Sequence, residues 1–111
     1  MLNIDSNGGI HLTRGDTARL QIYIENEANE EEYQITSEDI LRFTVRRSAD
    51  DPVPAFRKTI KGSATFHIEP KDTKRLSFGS YVYDVELTTP NDDVYTVIGP
   101  CSFEIMKEVT F

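Results

Sequence analysis

"DTKRLSFGSYVYDVELT", residues 72–88, changes character at Gly79. Before it lies turn chemistry: Asp72 or Thr73 can cap a single helical turn, Leu76 can point inward, and Gly79 can end the turn. After it, side chains alternate. Tyr81, Tyr83, Val85 and Leu87 fall on one side, with Asp84 and Glu86 opposite alongside Val82. An unbroken period of two over that length reads as a strand with one dry face and one wet face.

The same period runs through the rest of the chain, and a period of 3.6 is hard to find. "IHL" places Ile10 and Leu12 together, and "ARLQIYI" does the same for Ala18, Leu20, Ile22 and Ile24. "ILRFTVRR" aligns Leu41, Phe43 and Val45; "TFHIE" aligns Phe66 and Ile68; "CSFEIMKEV" aligns Cys101, Phe103 and Ile105. With "DVYTVI" added, this makes about seven or eight strands, the pattern of antiparallel sheets packed face to face. The expected fold is therefore an all-β antiparallel sandwich, with Leu20, Phe43, Val85 and Phe103 meeting in its dry layer.

Turn residues fall between these segments. Gly8-Gly9, Gly15-Asp16, Gly62-Ser63, Pro90-Asn91-Asp92-Asp93 and Gly99-Pro100 mark the breaks. "TTPNDDV" reads as a hairpin tip between strands at 79–88 and 93–98. Gly99-Pro100 interrupts an otherwise continuous strand, which predicts a bulge or a change of sheet. "NEANEEEYQIT" has helix formers but no apolar stripe, and reads as a solvated loop or ragged hairpin. There is no internal repeat or linker, so residues 1–111 read as one domain.

Composition narrows the function classes. Nineteen acidic residues against twelve basic ones leave a net charge of −7, which opposes binding to nucleic acid. The longest apolar runs fall far short of a membrane span. "MLNIDSNGG" has neither a basic nor an apolar leader segment, so no signal peptide is expected. A single cysteine, Cys101, excludes an internal disulfide and suits a reducing cytosol. The basic clusters Arg42, Arg46, Arg47 and Arg57, Lys58, Lys61 read as a solvated face, with a surface for an acidic partner as the alternative.

Tyr81 sits where immunoglobulin-like sandwiches carry a corner tyrosine, near the start of the penultimate strand, its hydroxyl bonded to backbone a few residues upstream. Tyr83 occupies the place of the second cysteine of antibody domains, so aromatic and aliphatic packing must replace the disulfide. The order "LTRGDTARLQI", "EDILRFTVRR", "FHIEPKDTKRLSFGSYVYDVEL", "VYTVIGPCSFEI" and "EVT" resembles the small immunoglobulin-like domains of bacteriophage and prophage structural proteins. The nearest type is the N-terminal domain of baseplate upper proteins. The residues that carry the likeness are Gly15 and Asp16 with their neighbours Arg14 and Thr17, Asp72-Thr73, and Gly79 to Asp84 with Tyr81 and Tyr83.

Baseplate upper proteins continue into long linkers and receptor-binding or trimerising regions. The resemblance therefore implies a tail, baseplate or head accessory component in general. It implies a non-catalytic, oligomeric assembly role among other phage structural proteins, first in the host bacterial cytoplasm and then in the virion, with no cofactor.

Arg14-Gly15-Asp16 is also the tripeptide by which extracellular ligands hold integrins. On the order of 2 in 100 chains of this length carry it by chance. Its place between two alternating segments reads as a turn, with Gly15 free to take positive φ and Asp16 able to accept a local backbone hydrogen bond. Integrin binding is not expected.

No catalytic or metal constellation emerges. His11 and His67 have no third ligand nearby in sequence, and the glycines are scattered. Asp50-Asp51 and Asp92-Asp93 sit in turns, where Asp serves the backbone; a calcium ion at the 91–93 tip lacks ligand density. Asp84, on a strand between Tyr83 and Val85, lies on a solvated face or is paired. The alternative function is a small carbohydrate-binding module, with Tyr23, Tyr33 and Tyr95 as ligand-facing aromatics. Alternation places 23 and 95 opposite the apolar face.

Overall fold

In the computed structural model, which describes residues 2–4, 8–26 and 31–108, alternation becomes pleat almost everywhere. The strands are β1 (Leu2–Ile4), β2 (Ile10–Thr13), β3 (Ala18–Gln21), β4 (Glu25–Asn26), β5 (Glu31–Glu32), β6 (Ile40–Arg46), β7 (Phe56–Lys61) and β8 (Thr65–Ile68). One helical turn, α1 (Pro70–Thr73), precedes β9 (Gly79–Thr88) and β10 (Val94–Met106). The protein is all-β.

A curled six-stranded sheet runs in the order β1-β2-β10-β9-β6-β7. The pair β3-β8 forms a second, small sheet, and β4-β5 a two-residue ladder on either side of residues 27–30, the part of the expected acidic loop or hairpin that lies outside the described residues. Antiparallel pairing was the expectation for every strand. One pair departs from it: β2 runs parallel to β10, with Ile10 beside Phe103 and Leu12 beside Ile105. Parallel neighbours need a long crossover, and here nearly the whole domain between residues 13 and 103 supplies it.

The dry layer lies between the large sheet and β3-β8. Leu20, Phe43, Val85 and Phe103 all belong to it, as do Leu12, Leu41, Phe66 and Ile68. Phe43 is its centre. Its ring stacks on Tyr83 at 5.0 Å, reaches Phe66 of the opposing sheet at 5.4 Å, and meets Phe103 edge-on at 6.2 Å. Such pairs add about 0.5–1.5 kcal/mol each beyond area burial. They hold the middle of the core without a disulfide, since Cys101 is a free thiol.

The corner at residues 69–81 is assembled differently from the sequence reading. The residue before the helical turn is Glu69, and Pro70 opens it, a position where its fixed φ and missing N–H cost nothing. Asp72 is therefore not the cap but the third helical residue, and its Oδ2 accepts the Glu69 N–H at 2.7 Å. Gly79 does not end the turn either. Lys74 does, and Gly79 (φ +122°) opens β9. Tyr81 is buried, and its hydroxyl donates to the Ser77 carbonyl at 2.9 Å. Arg47 lies over the outer face of the Tyr81 ring at 4.7 Å. The Tyr83 hydroxyl donates to the Gly8 carbonyl and pins the start of the chain to the sheet.

The strand after the hairpin is continuous. Gly99-Pro100 makes a bulge and not a change of sheet, and a second bulge precedes it at Val97. Only Phe103–Met106 of β10 pair with β2, so at Pro100 the strand has β9 alone beside it among the described residues. The missing proline N–H breaks no ladder there.

Candidate functional site

The Arg14-Gly15-Asp16 turn belongs to the fold. Gly15 has φ +83°, and the Asp16 N–H closes the turn onto the Thr13 carbonyl at 3.1 Å. The Gly15 N–H donates to the buried Thr73 hydroxyl at 2.8 Å, which ties the turn to α1. Arg14 is engaged on three sides. Its guanidinium donates to Glu108 Oε1 at 3.1 Å and to the Leu76 carbonyl at 3.3 Å, and lies 4.1 Å over the Phe78 ring.

The basic clusters are matched within the molecule. Lys58 pairs with Asp72 at 2.7 Å, Lys61 with Glu38 at 3.0 Å, and Arg42 with Glu86 at 3.8 Å. Arg46 donates to the Asp51 carbonyl at 3.0 Å, and Arg57 to the Thr44 hydroxyl at 3.0 Å. Asp84 lies opposite Thr44 on the outer face, beside a small hollow of about 60 Å³ that Arg46, Ala49 and Pro100 help to line. Partial burial, with Glu86 adding to it, pushes the Asp84 carboxyl above its ordinary value, against the pull of Arg46 and Arg57.

At the hairpin tip, Asp92 adopts φ +66° and donates its N–H to Thr89. That is the left-handed residue of a tight hairpin loop. No group of three or more His, Cys, Asp or Glu suited to a metal is found among the described residues. His67 is exposed on β8, and His11 Nδ1 lies 3.2 Å from Glu104.

Among the described residues there is an open groove of about 700 Å³. Tyr23, Tyr33 and Tyr95 all line it, together with Ile24, Glu25, Leu87, Thr89, Thr96 and Val97. Each tyrosine arrives by a different route. Tyr23 follows β3 in an irregular stretch, since the strand ends at Gln21 and does not run on to Ile24. Tyr33 follows β5 and is half-buried, its hydroxyl donating to Asp39 Oδ2 at 2.9 Å.

Tyr95 corrects the alternation argument. It stands directly opposite Leu87, a core residue, and so shares the apolar face of the sheet. The bulge at Val97 inserts one residue, which puts Tyr95 and Ile98 on the same face although they are three apart. Although on that face, Tyr95 is 53% exposed and opens onto the groove. The apolar pattern carried no sign of the Val97 bulge.

Beneath the groove, Asp39 is fully buried and organises the loop. Its Oδ2 also accepts the Thr36 N–H at 2.8 Å, and its carbonyl accepts the Gly62 N–H at 2.9 Å. Burial first, then the hydrogen bond and charge of Asp39, push the Tyr33 phenol above its ordinary value. Glu25, Thr89 and Thr96 carry no sequence signature and are visible only as lining residues.

Comparison with family models, with curated proteins and with solved structures finds no significant match. Among the described residues no helix is long and apolar enough to cross a membrane.

Proposed function

We propose that this chain is a non-catalytic, immunoglobulin-like structural component of a bacteriophage or prophage particle, in a tail, baseplate or head accessory position. The observation that carries the reading is the corner: Tyr81, at the start of β9, bonded to the Ser77 carbonyl after a one-turn connection. The strand order supports it too. In variable-type immunoglobulin sandwiches the sheet containing the last two strands is the enlarged one, and here too the last two strands lie in the larger sheet, β1-β2-β10-β9-β6-β7, with β3-β8 as the smaller one. The sequence segments that resemble phage domains span the same elements.

Such a domain acts by being held. Among the described residues β7 is an edge strand of the large sheet, its six residues alternating between half-buried and exposed. Edge pairing or end-loop contacts dock the domain, and particle symmetry multiplies a weak contact. The partners are other phage structural proteins, met in the host cytoplasm and kept in the virion. Integrin capture forms no part of this reading, because Arg14 is already engaged by Glu108, Leu76 and Phe78.

Mass spectrometry of purified, induced particles tests the assignment. The chain is expected in intact particles at a fixed ratio to the major tail or capsid protein. Its absence from them while abundant in the lysate overturns the proposal.

A further inference from the structure

The groove at the tyrosine end has features that a docking role does not require. We propose that it binds a neutral or amine-bearing oligosaccharide. The assignment rests on the groove alone and stands apart from the particle role.

Tyr23 and Tyr95 are 68% and 53% exposed, and both line the same concavity. Single exposed aromatics are ordinary, but rings gathered with polar groups in a groove of about 700 Å³ match the size and lining of a small-molecule site. Each ring offers a flat, electron-rich face. The C–H faces of a pyranose are the complementary surface, and its hydroxyls need polar partners at the ring edges. Glu25 and Thr96, both exposed, supply them.

Charge selects among sugars. Among the described residues the lining includes Glu25 and no Lys, Arg or His, and Glu25 pairs across β4-β5 with Glu32. This field repels uronates and phosphate-bearing glycans and favours neutral or amine-bearing ones.

An extended peptide is the rival occupant, since among the described residues only β9 pairs with the Val94–Pro100 part of β10. That stretch is a poor template. The bulges at Val97 and at Gly99-Pro100 break its ladder, and Pro100 has no N–H to offer.

The test is a printed array of neutral, amine-bearing and acidic oligosaccharides, followed by an NMR titration of the labelled protein with the strongest hit. The expected result is saturable binding to a neutral or amine-bearing chain, with shifts at residues 23–25, 33, 87–89 and 95–97. Tyr23→Ala and Tyr95→Ala, both at exposed positions, should each weaken it about tenfold while leaving the remaining amide spectrum unchanged. Tyr95→Phe should keep it. No saturable binding, a preference for acidic glycans, shifts mapping elsewhere, or alanine variants that bind like the wild type would each overturn the proposal.

Discussion

The backbone N–H of Gly15 donates to the side-chain hydroxyl of Thr73 at 2.8 Å, joining two turns that lie 58 residues apart. Both ends are tightly specified: Gly15 is at φ +83°, and Thr73 is fully buried in α1. Thr73→Val keeps the shape and removes the acceptor. It should cost about 1–2 kcal/mol in urea unfolding, with the slope unchanged, and Thr73→Ser should recover most of that. A valine variant as stable as the wild type would show that the tie contributes nothing.

Tyr81→Phe isolates the corner. The ring stays buried beneath Arg47 and only the bond to the Ser77 carbonyl is lost. The expected loss is about 1 kcal/mol, because Ser77 is exposed and water can replace the donor. Chemical denaturation measures it directly.

Much of this was readable from residue order, and the failures have a common cause. The strands that contribute Leu20, Phe43 and Val85 were legible because one face of each is dry, which writes a period of two into the chain. The parallel pairing of β2 with β10 was not, since alternation says which face a residue takes and nothing about its neighbour. Tyr95 was misplaced because a bulge shifts phase without changing composition; Gly99-Pro100 announced one bulge, and Val97 announced nothing. In α1, Glu69-Pro70 was the better start signal, but Asp72 is the commoner capping type. The groove could not be foreseen as a unit, because Tyr23, Tyr33 and Tyr95 come together only through irregular segments and a hairpin.

Asp84 gives a pH-linked expectation. Its carboxyl is pushed above its ordinary value mainly by burial, so the ionised form is disfavoured in the folded state. A raised pKa contributes stability below the unfolded value, and that contribution is lost as pH rises through the folded value. At pH 7 Asp84→Asn should therefore be neutral or stabilising relative to wild type, and the advantage should vanish in acid. Thermal melts of both proteins at pH 7 and at pH 3 settle the sign; a destabilised variant at pH 7 would mean that Arg46 and Arg57 outweigh burial.

Tyr33 gives a second pH-linked expectation. Its phenol is raised above its ordinary value by burial and then by Asp39. The stability held in that hydrogen bond is complete below the unfolded phenol value and falls as pH climbs through the folded one. Carbon-detected NMR of the tyrosine rings should show Tyr33 titrating above the ordinary phenol value, and Asp39→Asn should lower it.

The account depends most on the dry layer between the two sheets, and the contact that spans it at its centre is Phe43 with Phe66, 5.4 Å between ring centroids. A nuclear Overhauser measurement on selectively labelled phenylalanines reads this pair directly. Strong cross-peaks between the two rings, with Phe43 also reaching Tyr83, are the predicted result. Their absence in a folded sample, with Phe66 reporting only neighbours on β3 and β8, would contradict the dry layer and everything placed upon it.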